Sequence, residues 1–381
     1  MNICHFTTVH TRCDPRIFWK ECISTAESAN QVTLIVSDNK KDEEKNGVVI
    51  LSTKSPSKNR LLRILSIASK NRIYKKAKDL KADIYQFHDP ELLPLGVKLK
   101  KRGFRVIYDV HEDVPRQILV KEWIPLFMRR IVSGLFEIYE NKCAKKFDAI
   151  VVPTPHIKER FIHLNNSVWE VCNFPPVGEI KYSGHNYSNQ NPGCYVGGIT
   201  STRGIRQISK ATDKAGIILN LCGKFDSKGL EQEILNKHRN IKYFGFLNRS
   251  EVFDILHNSS MGFVTLLDTP NDAASYPIKL FEYMAAGIPV ISSNFPLYKE
   301  IVEGNNCGIC IDPLDINAIY DAINKIAKDK VYADKMRKNG RKAIEEKYNW
   351  EGQIAKLLEC YECCLKQPVV SERYQKYAGV L

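Results

Sequence analysis

Three places in this sequence hold residues whose types and spacing can do chemistry. The first is Ser275-Tyr276-Pro277-Ile278-Lys279-Leu280-Phe281-Glu282-Tyr283-Met284-Ala285-Ala286-Gly287-Ile288-Pro289-Val290, which reads as a turn, a helix opening at Pro277 and a stop at Gly287. The first turn of a helix carries backbone N–H groups without intrahelical partners, so it can hold an anion. Lys279 adds positive charge there. Glu282 falls about a turn and a half inside the helix, where it can accept hydrogen bonds from hydroxyl groups. The plain alternative is an amphipathic helix whose Lys and Glu only face water.

The second place is Tyr195-Val196-Gly197-Gly198-Ile199-Thr200-Ser201-Thr202-Arg203-Gly204-Ile205, a strand ending in two glycines before a helix. Glycines let the backbone come close to a diphosphate, and Arg203 can balance its charge. The third is a pair of runs, Asp83-Ile84-Tyr85-Gln86-Phe87-His88-Asp89-Pro90-Glu91 and Val106-Ile107-Tyr108-Asp109-Val110-His111-Glu112-Asp113. Both histidines follow strand-like segments and should sit at strand carboxyl ends. His88, Asp89, Glu91 and His111 are the polar candidates, although a single histidine is more often structural. Near the start, His10-Thr11-Arg12-Cys13-Asp14-Pro15-Arg16 offers Asp14 and Arg16 as substrate contacts or helix caps.

These groups need strands and helices to aim them. Short apolar, β-prone runs at residues 2–8, 31–36, 48–51, 83–87, 105–109 and 148–152 alternate with helical patterns, and Thr154-Pro155 reads as an N-cap with proline at the first helical position. The polar stretch 181–193 has no apolar periodicity and reads as a linker. A second series follows at 194–196, 217–222, 241–244, 261–265, 290–292 and 308–311. From Ile316 the chain is nearly all helical, with Asp315 as a cap. The expected fold class is α/β: two Rossmann-like, doubly wound domains, 1–180 and 194–350, facing a cleft, with 351–381 as a terminal helix returning to the first domain.

The first segment is similar to the donor-site signature PxKxxEYMAxGxPV of the GT-B glycosyltransferases of family four. The resemblance covers nearly the whole chain, to Tyr348-Asn349-Trp350, where family members send a terminal helix back to the first domain. It implies a glycosyltransferase using a nucleotide-sugar donor, with the Glu at the place of Glu282 on the nucleotide ribose. Ser275, Pro277, Ile278 and Lys279 would line the same donor site. Ala274 stands where many members carry a second Glu. The Gly197 turn resembles the family's diphosphate loop GR(x)nKG, with Arg203 at its Lys and Gly198 at its Arg. Gly245-Phe246-Leu247-Asn248 is similar to the loop flanking the nucleotide base, and Asn173-Phe174-Pro175-Pro176 to a hinge-side Asn loop. His111 matches an active-site His near the reacting carbon, and His88 lies in an HxP-like loop. The catalytic set implied is His111, Arg203, Lys279 and Glu282. Asp14, Arg16, His88, Asp89 and Glu91 lie on the acceptor side.

The resemblance implies a retaining mechanism without cofactor. No DxD triplet occurs in the sequence, and a metal-dependent GT-A transferase typically needs one to hold a divalent cation. No metal is therefore expected. The Cys307/Cys310 and Cys360/Cys363 spacings look ligand-like, but the pairs lie too far apart for a zinc ribbon.

The 381 residues carry a net charge of +13. Ten basic residues against one acidic residue fall between Lys54 and Lys81. Such a field suits a phosphate-rich partner, although a solvated helix face would look the same. No RNA-binding motif supports nucleic acid. Residues 59–67 and 123–131 mix Arg60, Arg63, Arg129 and Arg130 with large apolar side chains, as segments lying in a headgroup plane do. No apolar run reaches the ~18 residues of a membrane span, and residues 1–6 pass into a strand without a secretory pattern. The expected place is cytoplasmic, peripheral on the inner face of an anionic membrane. The expected reaction moves a hexose or N-acetylhexosamine from a UDP-sugar to a lipid-linked saccharide, as in O-antigen, capsule or other surface-polysaccharide synthesis. A UDP-sugar epimerase shares the two-domain fold and would be told apart by its product from donor alone. An inactive partner subunit is the other alternative, given Ala274 and Gly198.

Overall fold

The computed structural model describes residues 1–54, 67–121, 123–182, 191–269 and 273–366. The chain forms two compact units, Met1–Asn173 together with the chain from Gln353 on, and Phe174–Gly352. Residues 183–190 of the expected linker and residues 59–66 of the first basic segment lie outside the described residues.

The first unit is built on β1 (Asn2–Phe6), β2 (Gln31–Ser37), β3 (Glu43–Lys45), β4 (Val48–Thr53), β5 (Ile84–Phe87), β6 (Arg105–Asp109), β7 (Ala149–Val152) and β8 (Val168–Glu170), in sheet order β3-β4-β2-β1-β5-β6-β7-β8. Every pairing is parallel except β3 on β4. The central strands are almost continuously apolar because helices cover both faces. Phe6, Phe87, Tyr108 and Phe147 pack in one layer, with Phe87 and Tyr108 stacked at 4.8 Å. Ile17, Phe18, Val32, Leu34, Val48 and Ile50 fill the other. Each such fully buried side chain contributes roughly 1.5–3 kcal/mol. The register sets His5 beside Gln86 and Phe87 beside Tyr108, so the residues that follow, His88 and Asp109, emerge side by side.

The second unit holds β9 (Gly193–Val196), β10 (Leu219–Cys222), β11 (Ile241–Gly245), β12 (Met261–Val264), β13 (Val290–Ser293) and β14 (Gly308–Ile311), all parallel, in order β11-β10-β9-β12-β13-β14. Two doubly wound parallel sheets of this kind make the GT-B fold. Strands β3 and β8 were not legible in the sequence. Both are three-residue edge strands, too short to show alternation. Thr154 and Asp315 cap their helices, accepting from Ile157 N–H at 3.4 Å and from Asn317 N–H at 2.8 Å.

The helix Trp350–Lys366 closes the first unit. Gln353 Oε1 accepts the Cys172 N–H at 2.9 Å, and Arg105 donates to the Cys364 and Leu365 carbonyls at 3.0 and 2.9 Å. The guanidinium thereby binds the helix's last unpaired carbonyls.

Candidate functional site

In the second unit, three glycine-bearing strand ends meet. Gly223 donates to the Gly245 carbonyl at 2.7 Å, and a Cβ at Gly223 would stand 1.9 Å from the Gly197 oxygen. Gly197 has φ +124°, and a Cβ there would lie 3.1 Å from Lys279 Nζ and 3.7 Å from Arg203 Nη1. Two cations thus converge on bare backbone. Lys279 is buried, with Nζ 3.8 Å from the centre of the Tyr195 ring. Tyr195 donates to the Gly198 carbonyl at 2.7 Å, which holds the exposed turn in place. The helix Ile278–Ala286 starts beside this turn, with no side chain capping its first N–H groups, and stops at Gly287 with φ +69°. The Tyr283 hydroxyl accepts the Val196 N–H at 3.0 Å, fixing the helix to the end of β9. Ser275 and Pro277, both half-buried, lead into it, and Ile278 is exposed on its first turn.

Glu282 is buried and paired with Arg249, whose Nε donates to Glu179 at 2.8 Å. Arg249 and Glu179 were missed in the sequence. The available signal was that Arg249 directly follows the 245–248 loop. Gly245 and half-buried Leu247 flank Phe246, which is 75% exposed with Lys224 5.3 Å from its ring centre. Asn248 and Glu251 form a capping box that fixes this loop to the next helix.

In the first unit, polar side chains gather at the carboxyl ends of β1, β5 and β6. Asp109 is fully buried, with Oδ1 accepting from Arg16 Nη2 at 2.9 Å, and with Oδ2 2.9 Å from His88 Nδ1 and 3.1 Å from His111 Nε2. Arg16 also faces Glu21 at 2.9 Å and donates to the Val171 carbonyl at 3.1 Å. A wide turn, Ile17–Cys22, brings Glu21 inward through an i→i+5 bond from its N–H to the Arg16 carbonyl at 2.9 Å. Asp14 caps this turn, accepting from the Arg16 and Ile17 N–H groups at 2.9 Å each. Lys20, on the same turn, donates to Asn173 Oδ1 at 2.6 Å.

Asp89 faces His10 at 2.9 Å and accepts from Thr7 at 2.8 Å and from the Thr8 N–H, while Thr8 donates to Glu91 at 2.7 Å. His111 lies 4.7 Å from His10, ring to ring, and is 15% exposed. The structure therefore brings His88 and His111 together with Arg16. Asp89 and Glu91 belong to the adjoining Thr8 turn. His5, His10, Glu21, Gln86 and Tyr361 complete the cluster and were not singled out in the sequence.

Burial pushes His88 down to about 4 and holds His5, beside it, well below the usual histidine range. Burial and then the charge of Asp109 raise Glu21 well above the carboxylate range. For Asp109 burial acts upward, but Arg16 and His111 outweigh it and hold the group ionised. The ligand atoms of His88, Asp109 and His111, and those of His5, Glu21 and His88, lie within 4.8 Å of one another, so each set could hold a cation. Arg16 already supplies positive charge at Asp109. Neither cysteine pair belongs to these sets, and no cysteine is in a disulfide.

The His10–Asp89 pair has a pH signature. Burial lowers His10, but Asp89 overrides it and raises the group above 6.5. Burial raises Asp89, but His10 and the Thr8 N–H bring it down from 3.8 to about 2. The histidine's contribution is full below 6.5 and lost as pH rises through its raised value. The aspartate's is full above 3.8 and lost as pH falls towards 2. The difference in thermal midpoint between wild type and His10→Asn is therefore expected to be largest between about pH 4 and 6.5 and to shrink on both sides. A pH-independent difference contradicts the pairing.

Residues 24–171 match the family described as Glycosyltransferase Family 4, and residues 179–343 match Glycosyl transferases group 1. Fold and domain content together define a GT-B glycosyltransferase, the chain being built from these two domain families. An uncharacterized glycosyltransferase of Methanocaldococcus jannaschii is 21% identical over 236 residues, a match spanning 59% of each protein. Sucrose-phosphate synthase from Thermosynechococcus elongatus superimposes with a TM-score of 0.72 at 17% identity, covering 95% of this chain and 98% of the other. The Anabaena protein HepE, crystallised with UDP and glucose, superimposes with a TM-score of 0.66 at 12% identity, covering 94% and 98%.

Proposed function

We propose that this chain moves a hexose or N-acetylhexosamine from a UDP-sugar to a lipid-linked saccharide, with retention and without metal. The observation that carries the reading is the convergence of Lys279 and Arg203 on Gly197 beside the uncapped start of the helix Ile278–Ala286. Fixed positive charge and N–H groups stabilise a leaving diphosphate without a divalent cation. Glu282, braced by Arg249, receives the ribose hydroxyls, and the Phe246 loop covers the base. The UDP in the Anabaena structure supports the choice of nucleotide. No side chain is placed as a covalent nucleophile. The acceptor hydroxyl then attacks on the face from which the diphosphate leaves, through an oxocarbenium-like state, and His111 contacts a sugar hydroxyl.

The lipid-linked acceptor rests on a surface of the first unit. Among the described residues no helix is long and apolar enough to cross a membrane. The helix Leu126–Ala144, however, leaves Leu126 and Phe127 77% and 79% exposed, with Ile131, Leu135 and Ile138 also exposed further along. Trp123 precedes it, and Arg130, Lys142, Lys145 and Lys146 are exposed on it and just after it. An apolar face among cations is suited to a headgroup layer, where each Lys or Arg contributes about 1 kcal/mol. We place this face on the cytoplasmic leaflet, with a product destined for surface polysaccharide such as O-antigen or capsule.

Incubation with a panel of nucleotide sugars and a bacterial lipid-linked acceptor extract tests the reading. One UDP-sugar is expected to be consumed with sugar appearing in the lipid fraction, and its anomeric configuration is expected to be kept. Consumption yielding only an epimerised donor contradicts transfer. In liposome co-sedimentation, binding is expected to require anionic lipid and to fall when Phe127, Arg130, Ile131 and Leu135 become Ser. Equal sedimentation of wild type and variant contradicts the membrane face.

A further inference from the structure

Behind His111 runs a buried hydrogen-bonded chain that ends on Tyr361, a residue of the terminal helix with no part in the reading above. Gln86 Nε2 donates to Glu21 Oε2 at 2.9 Å, so its Oε1 faces Tyr361, whose hydroxyl lies 2.7 Å away. The same hydroxyl is 3.4 Å from His5 Nε2. His5 Nδ1 is 3.1 Å from His88 Nε2, and the two rings stack within 10° of parallel. His88 Nδ1 lies 3.1 Å from His111 Nε2.

We propose that Tyr361 is a positioning residue that fixes the tautomer of His111, leaving the outward Nδ1 of that ring unprotonated. A tyrosine has one hydroxyl proton and a neutral imidazole has one N–H. Tyr361 gives its proton to Gln86, the nearer partner, so His5 must carry its own on Nε2 to donate to the tyrosine oxygen. His5 Nδ1 is then an acceptor, which requires the proton of His88 on Nε2. His88 is buried and neutral, so its Nδ1 is bare. The remaining proton in the cluster is on His111 Nε2, which stands at the same 3.1 Å from His88 Nδ1 and from Asp109 Oδ2 and is shared between them. Arg16 holds the other Asp109 oxygen and keeps that carboxylate ionised. His111 Nδ1 therefore presents a lone pair at the partly exposed edge of the unit. The substrate group it recognises must donate a hydrogen bond, as a sugar hydroxyl does and a carbonyl or carboxylate does not. That last clause rests on the transferase reading; the tautomer chain does not.

Long-range proton–nitrogen NMR of protein labelled with ¹⁵N-histidine reads which ring nitrogen carries the proton, and single His→Gln variants assign the signals. In the wild type, His5, His88 and His111 are expected to be protonated on Nε2. In Tyr361→Phe, His5 Nε2–H loses its acceptor. In Gln86→Leu, the tyrosine proton turns to His5. Both variants are expected to move the proton of His5 and of His88 to Nδ1 and to release His111 from a single tautomer. Any other wild-type pattern overturns the proposal, and it does so even if neither variant folds. Unchanged His5 and His88 signals in either folded variant overturn it as well. The spectra need no substrate. A protein inactive in transfer but with the expected pattern counts against the function and leaves the relay standing.

Discussion

Replacing Glu282 with Ala is expected to lower kcat/KM on the order of a hundredfold while leaving the thermal midpoint close to wild type. The carboxylate is buried beside the helix start, and its partner Arg249 is 46% exposed and also bound to Glu179. On truncation, Arg249 keeps Glu179 and reaches water, so no buried charge is stranded. What is lost is a charged acceptor for two ribose hydroxyls. A hydrogen bond to a charged group contributes about 1.5–3 kcal/mol, and 1.4 kcal/mol is a factor of ten. The effect should therefore lie between about ten- and 150-fold for one bond, and higher for two. Initial rates across donor concentrations check it. A variant retaining more than about a tenth of wild-type kcat/KM removes Glu282 from the donor site.

The opposite pattern is expected at Arg16. This side chain looked in the sequence like either a substrate contact or part of a helix cap. In the structure it is 5% exposed and spans Glu21, Asp109 and the Val171 carbonyl. Removing one partner of a buried pair while leaving the other charge in place typically costs about 3–5 kcal/mol. Arg16→Met is expected to lose that amount, a large share of the ~5–15 kcal/mol that holds a domain folded. Urea unfolding measures it. Adding Asp109→Asn to Arg16→Met should recover part of the loss, because the orphaned carboxylate is gone. A loss under about 1 kcal/mol would show that water reaches Asp109 and that the site is not closed.

The sheets were legible because parallel strands covered on both faces are written as short apolar runs. The twelve core strands read from the sequence are present, several with bounds shifted by one to three residues. The donor segment was legible because a capped helix has local punctuation, Pro277 before it and Gly287 after it. That Lys279 and Arg203 share Gly197 was not legible, since it depends on the register of β9 and on the Tyr283 bond to Val196. The histidine cluster was half legible. His88 and His111 follow strands, but His5 lies inside β1 among apolar residues and reads as core. Tyr361 stands 275 residues from Gln86, and no local pattern distinguishes a tyrosine that packs from one that passes a proton. Arg16 shows the same gap from the other side, because local spacing cannot tell a ligand-facing arginine from one neutralised inside the fold.

Titration calorimetry of UDP into the protein in excess EDTA tests the central claim most directly, because it separates protein cations from metal at the diphosphate. The expected result is saturable binding at one site per chain for the wild type, at least tenfold weaker for the double variant Lys279→Met with Arg203→Ser. Binding that appears only when magnesium or manganese is supplied, or that is equally tight in wild type and double variant, would contradict a metal-independent diphosphate site at Gly197.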